Sequence, residues 1–348
     1  GSDGLRFARQ ARAAGVSRCL INGQYPAPDM QTMTRYGFLV GHYDNYSDIV
    51  DGPLGMTSDV VEEVAFRDPD GSPRKGWLAK DGKQYYMRAT SQALKAAQVL
   101  IPQALAEYPY TARFLDVHSA LQLFEDYNPN RRDDRRTDLQ HRRALYRYVA
   151  SLGLVVGGEH GKSWCVPELD YAEGPMSGPY WWHMDVGHLL PLKSREDLHP
   201  EYLRYGMDPA LRIPLWELVY HDCMVTTWYW GDSSGYLYNI APEISDTKDL
   251  LNILYGTVPL VWANHLGYGW DRHRDRLLQT YYTTCRLHEE KTAFAKLVKH
   301  EFLSADRLLQ RTTFDSGLVV TVNFSDQPRP GPLVDGKDLV LAPRGYVA

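Results

Sequence analysis

The sequence lacks most of the signatures that assign a protein quickly. Its 348 residues hold four cysteines, Cys19, Cys165, Cys223 and Cys285, widely scattered and without a CxxC pair. That spacing excludes a thiolate metal knuckle and reads as free, mostly buried thiols. No apolar run reaches the eighteen or so residues that a membrane-spanning helix needs, so no membrane partner is expected. There is no HExxH and no HxH at a strand end among twelve dispersed histidines, which argues against a zinc hydrolase. No GxSxG elbow, Walker loop or GxGxxG after a strand occurs, which removes the serine hydrolase, P-loop and dinucleotide readings. Basic excess is missing too: the net charge is −5, so nucleic acid is not an expected partner. The run Arg131-Arg132-Asp133-Asp134-Arg135-Arg136 mixes signs at a helix start and reads as a solvated face. The opening Gly1-Ser2 resembles a cloning remnant, which leaves an upstream signal or domain open, and with it the compartment, cytoplasmic or exported.

What the chain has is aromatic surface, 24 Tyr and 9 Trp, of the kind that packs on the apolar faces of sugar rings or fills a large core. It also has a repeating alternation of apolar runs and helical patterns. The central case runs from Arg113 to Trp164. Arg113-Phe114-Leu115-Asp116-Val117-His118 and Leu154-Val155-Val156-Gly157-Gly158-Glu159 read as strands, each ending near a carboxylate. Between them Leu139, Leu145 and Val149 recur at helical spacing. In such a βαβ unit the strands are parallel, and carboxylates at matching ends face one cleft. A retaining glycosidase needs two carboxylates about 5–5.5 Å apart. Asp116 and Glu159 are the candidate catalytic pair, with the low bulk of Gly157 and Gly158 suited to close approach of a ligand. Taken singly, each carboxylate reads more often as a helix cap, a turn former or half of a salt bridge.

The whole chain is expected to be α/β, a (β/α)8 TIM-type barrel over residues 1–300, with its first strand in doubt, followed by a small C-terminal antiparallel β element over 301–348. Strands are expected at 18–23, 36–46, 113–118, 154–159, 218–223 and 258–265, and helices at 5–14, 90–107, 133–151, 246–256 and 271–299. Long loops at about 47–88 and 160–213 are expected to serve a site. Polar and aromatic residues near strand ends or in those loops are candidate substrate contacts: Asp44, Asn45, His118, His160, Trp181, Trp182, His221, Asp222, Trp228, Trp230 and Asn264.

The succession Tyr43-Asp44-Asn45, Phe114-Leu115-Asp116-Val117, Gly158-Glu159-His160-Gly161, Tyr220-His221-Asp222 and Trp262-Ala263-Asn264 resembles the catalytic barrel of glycoside hydrolase family 129 and its relative family 101, over about residues 5–325. The large N-terminal β-sandwich of the family has no counterpart in this sequence. The resemblance implies a retaining, exo-acting α-glycosidase on N-acetylgalactosamine or a related galacto-configured sugar, with Asp116 as nucleophile and Glu159 as acid/base. It implies a carbohydrate substrate as partner. It also implies a calcium ion near the site, to which no ligands in this sequence are assigned; the chemistry itself requires no cofactor. Two rival readings are a carbohydrate-binding barrel without catalysis and a metal-dependent hydrolase on the same scaffold.

Overall fold

Helix and parallel strand alternate from the first residues of the chain, whose computed structural model describes residues 1–54, 57–79, 81–177, 194–262, 267–334 and 337–348. Two compact units result, Gly1–Asp170 and Tyr171–Ala348.

In the first unit four parallel strands follow one another in sequence order: β1 (Leu20–Asn22), β2 (Leu39–Asp44), β3 (Ala112–Leu115) and β4 (Val155–Glu159). Helices Asp3–Ala13, Ala27–Arg35, Thr90–Glu107 and Arg135–Ser151 precede or connect them. Local chemistry explains where these helices start. The Ser2 side chain accepts from the Leu5 amide, and Asp134 does the same for Thr137, each removing one of the unpaired N–H groups that a helix start exposes. Along Arg135–Ser151 the buried residues Asp138, Arg142, Leu145, Tyr146 and Val149 return every three or four positions, one face turned inward. Strand β3 is buried along its whole length, as a strand covered on both faces must be. Register is continuous across the group: Ile21 pairs Val40, Asp44 pairs Leu115, and Leu115 pairs Gly158.

The stretch expected as a long loop over 47–88 is built. Strands Asp48–Ile49, Gln84–Met87 and Lys75–Leu78 form an antiparallel sheet in that order. Ile49, Val61 and Ala65 form one small core and Phe66, Met87 and Ala89 another, which holds the excursion in shape.

The second unit corrects several expectations. Its first parallel pair, β5 (Tyr171–Glu173) and β6 (Val225–Thr227), begins inside the stretch assigned to an insertion. The strand expected at 218–223 is instead the helix Leu215–Tyr220; a short apolar run does not distinguish the two, and Pro214 ahead of it favours a helix start. No strand forms over 258–262, and 263–266 lie outside the described residues. The helix expected over 271–299 is an α-helix Trp270–Thr280 continued by π-helical turns Tyr281–Cys285 and His288–Thr292, after which the chain becomes the strand Leu297–Phe302. That strand joins Leu309–Phe314, Val319–Asn323 and Tyr346–Val347 in an antiparallel sheet. Helix Pro242–Tyr255 is buried from Ile244 to Tyr255 but for Asp246. It packs Leu250, Leu251, Leu254 and Tyr255 into a core with Trp228, Tyr236, Phe314, Val320 and Val322. The architecture is α/β of the TIM-barrel type with an antiparallel β element at its C-terminal end.

Candidate active site

Asp116 and Glu159 sit at matching ends of neighbouring parallel strands. Leu115 and Gly158 are the last paired residues of β3 and β4, so Asp116 and Glu159 occupy the next rung and point to the same face of the sheet. Asp116 is half-exposed and Glu159 is buried. The backbone bends identically after each. Val117 has φ 70° and His118 N–H donates to Asp116 C=O at 2.8 Å; His160 has φ 58° and Gly161 N–H donates to Glu159 C=O at 2.7 Å. These are γ-turns with a left-handed central residue, a rare and strained conformation, and unusual above all for a β-branched residue such as Val117. Such strain persists only where surrounding bonds enforce it. Here the Asp116 amide donates to Asp44 C=O at 2.9 Å, and Ser119 Oγ donates to Glu159 C=O at 2.7 Å.

Two further bonds reach the carboxylates. Tyr43 Oη donates to Asp116 Oδ2 at 2.5 Å, and its ring stacks beside Phe114. Tyr43 as a whole is 54% exposed, but desolvation of its hydroxyl and the Asp116 charge push that hydroxyl far above its ordinary value, so it stays a donor. The Val117 amide donates to Glu159 Oε2 at 3.0 Å. A third carboxylate, Asp48, lies close enough for the Asp116 charge to raise it, behind the larger effect of burial, while Asn45 and the Trp77 indole hold it by hydrogen bonds.

The other expected contacts separate by position. Asp44 pairs with Arg113, whose Nη1 lies 2.9 Å from both of its oxygens, with His42 Nδ1 at 3.1 Å; it neutralises a buried guanidinium. Asn45 builds the turn that places Asp48, accepting from the Ser47 and Asp48 amides. His118 is buried, and desolvation, reinforced by Arg142 and Arg88, pushes its imidazole down to about 3; it is a neutral core residue. His160 forms the left-handed turn and is half-exposed. In the second unit, His221 is buried with its ring nitrogens against the Ala295 and Gly256 carbonyls, a packing role. Asp222 follows it, half-exposed, beside Cys223. Trp228 is completely buried, with its indole N–H on Asn252, so it fills the core and offers no sugar platform. Trp230 is half-buried with its ring 4.4 Å from that of Trp262. Trp181, Trp182 and Asn264 lie outside the described residues.

Tyr43 and Val117 escaped the sequence reading. A strand alternates its faces, so Tyr43 and not Asp44 shares a face with Asp116, but only the register Tyr43 to Phe114 makes that usable. The glycine before Glu159 also has a different purpose from ligand approach. A Cβ on Gly158 would stand 2.5 Å from Ser119 Oγ and 3.0 Å from Leu169 Cδ1, so the residue is small because the chain packs there.

Among the described residues no group of three or more His, Cys, Asp or Glu side chains is placed to hold a metal ion. No donors are assigned among these residues to the calcium implied by the resemblance, and no chemical step runs through it. Also among those residues, no helix is long and apolar enough to cross a membrane.

Comparison with known proteins places this arrangement. Among solved structures the fold matches α-N-acetylgalactosaminidase NagBb from Bifidobacterium bifidum, at 20% identity and a TM-score of 0.68 for the ligand-free form, over 92% of this chain and 51% of that one. Its GalNAc complex matches to the same degree. A cyclic α-maltosyl-(1→6)-maltose hydrolase from Arthrobacter globiformis matches at 13% identity and a TM-score of 0.56, over 99% of this chain and 87% of that one. The α-galactosidase TtGalA from Thermus thermophilus matches at 13% and 0.52, over 88% and 60%. The chain spans about half the length of the NagBb chains. No curated protein matches it by sequence. The family model described as glycosyl hydrolases related to GH101 family, GH129, matches residues 21–313, and the chain thus belongs to glycoside hydrolase family 129.

Proposed function

We propose that this chain carries the catalytic centre of a retaining α-glycosidase acting on N-acetylgalactosamine or a related galacto-configured sugar. The observation that carries the reading is the placement of Asp116 and Glu159 on one rung of adjacent parallel strands, tied by the bond from the Val117 amide to Glu159. Asp116 attacks the anomeric carbon through the oxygen that Tyr43 does not hold. The bond from that carbon to the leaving oxygen breaks as Glu159 gives its proton to the leaving oxygen, and a glycosyl ester of Asp116 forms. Water then adds to the anomeric carbon, Glu159 takes its proton, and the ester bond breaks with configuration retained. Before attack the Asp116 carboxylate favours a protonated Glu159; once Asp116 is esterified that charge is gone, and Glu159 is free to act as a base. The choice of sugar is supported by family membership and by the NagBb and TtGalA neighbours.

Hydrolysis of a panel of nitrophenyl α- and β-glycosides, including the N-acetylgalactosaminide and galactoside, tests the proposal. Turnover of one α-glycoside, retention of the α-anomer in the first-formed product by proton NMR, and loss of turnover with sugar binding kept in Asp116→Asn are expected. Activity at the unaltered level in Asp116→Asn overturns the assignment. Sugar binding by a chain inert toward the whole panel points instead to a binding barrel.

A further inference from the structure

We infer that Arg142 is a positioning residue for the nucleophile, acting through the loop that follows Asp116. The inference rests on the reading of Asp116 given above. After β3 the chain does not run out over the surface as most connections do: His118 and Ser119 are buried, and buried carbonyls in such a loop need donors. The Arg142 guanidinium supplies them. It stands on the helix Arg135–Ser151 that returns the chain to β4, with its side chain 2% exposed. Nη1 donates to the carbonyls of His118 at 2.8 Å and Leu121 at 3.2 Å, and Nη2 donates to that of Gln122 at 2.8 Å. On the other side of the fork Nε and Nη2 meet the Asp138 carboxylate at 3.2 and 2.9 Å. Three carbonyls and two carboxylate oxygens thus surround a group that carries five N–H donors. Asp138 is gripped in turn. Fully buried, it accepts from Thr90 Oγ1 at 2.7 Å and from the Phe124 amide at 2.8 Å, so the pair holds the loop at residues 118, 121, 122 and 124.

The path from this fork to the nucleophile is short. The His118 carbonyl rests on Arg142, and His118 N–H closes on Asp116 C=O at 2.8 Å. Between them the Val117 carbonyl accepts from the Ala120 and Leu121 amides at 3.0 and 3.2 Å. Ladder pairing to β4 ends at Leu115, so beyond Asp116 the chain is held through this loop. Attack on an anomeric carbon tolerates little displacement, and a misplacement of about 1 Å can cost about a hundredfold in rate. Lysine could not replace the arginine. Its ammonium would pair with Asp138 as a point charge, but it lacks the planar fork that reaches carbonyls on three residues.

Covalent trapping reads nucleophilic attack alone. A glycosyl fluoride of the sugar that is turned over, carrying a second fluorine at C5, needs no proton from Glu159. Fluoride departs from the anomeric carbon as an Asp116 oxygen bonds to it, and the fluorine at C5 slows hydrolysis of the ester, which accumulates. Label per folded chain counts intact sites, and the rate constant at saturation reports how well Asp116 is aimed. Arg142→Lys keeps a positive charge beside Asp138. It should label fully, with that rate constant lowered by roughly ten- to a hundred-fold and the half-saturating concentration changed much less. A residue that only balances charge or supports the fold gives fewer labelled sites at an unaltered rate constant; that result, or an unchanged rate constant at full labelling, overturns the proposal. Should Arg142→Lys not fold, Asp138→Asn is judged by the same two readouts, because it keeps the shape but turns an NH2 toward the donors of Phe124 and Arg142 and so loosens the fork. Peptide mapping of the label separates the two readings. Label elsewhere than Asp116 in the unaltered chain, or none, sinks the nucleophile assignment and this inference with it, whereas label on Asp116 with an unchanged rate constant in the variant sinks only the role of Arg142.

Discussion

Tyr43 Oη lies 2.5 Å from Asp116 Oδ2, a hydrogen bond between side chains 73 residues apart that the pairing of β2 with β3 makes. In the proposed mechanism it holds one carboxylate oxygen of Asp116 and leaves the other for attack. Tyr43→Phe removes the donor with little change in shape. We expect kcat to fall by on the order of tenfold or more with KM changed much less, since the bond orients the proposed nucleophile and not the substrate. Steady-state kinetics on the preferred nitrophenyl glycoside measure this, and an unchanged kcat would show that Asp116 does not depend on Tyr43.

Arg113 and Asp44 form an ion pair with the Arg113 side chain 1% exposed and that of Asp44 10% exposed. Truncating one partner of such a pair strands the other's charge out of water. Arg113→Ala should therefore cost about 3–5 kcal/mol in urea unfolding, and the double variant with Asp44→Ala should recover part of that loss. Simple addition of the two effects would contradict the pairing.

Gly158→Ala places a methyl group against Ser119 Oγ and Leu169. Because Ser119 also donates to the Glu159 carbonyl, the strain falls on the proposed acid/base. A loss of about 1–3 kcal/mol in stability is expected, the usual cost of overpacking, together with reduced turnover. Calorimetry and kinetics on one preparation test both, and a variant as stable as its parent would mean that the contact relaxes freely.

Glu217 is buried, with Oε1 lacking a hydrogen-bond partner, and burial raises its carboxyl from 4.5 to about 7. The folded state binds this proton more tightly than the unfolded state, so the stability it contributes is complete below about pH 4.5 and is lost as pH rises through 7. Glu217→Gln should flatten that decline and be the more stable form above neutrality by up to about 3 kcal/mol, the worth of such a shift. His118, depressed to about 3, acts in the opposite direction: its contribution is present above pH 6.5 and is lost as pH falls through 3. Urea midpoints from pH 4 to 9 in both chains test the Glu217 effect, and parallel slopes would argue against it.

Local sequence pattern suffices for the α/β alternation and for placing the two carboxylates at strand ends. Periodicity marks the long helices Thr90–Glu107 and Arg135–Ser151, because a buried face recurring over four or more turns has no other reading. The apolar runs of β3 and β4 end at Asp116 and Glu159 for the same local reason. It could not determine whether Leu218–Cys223 was a strand or, as observed, the end of helix Leu215–Tyr220, since six residues satisfy both periods. Nor could it separate Trp228, sealed in the core, from a surface tryptophan, or show that Asp44 pairs with Arg113. Those outcomes depend on which residues distant in sequence become neighbours. Register decided that Tyr43 and not Asp44 faces Asp116, and the pairing of β3 with β4 brought the Val117 amide to the Glu159 carboxylate. Local propensity selects elements, whereas the partners of a buried charge or a strand-end amide exist only once the strands are paired.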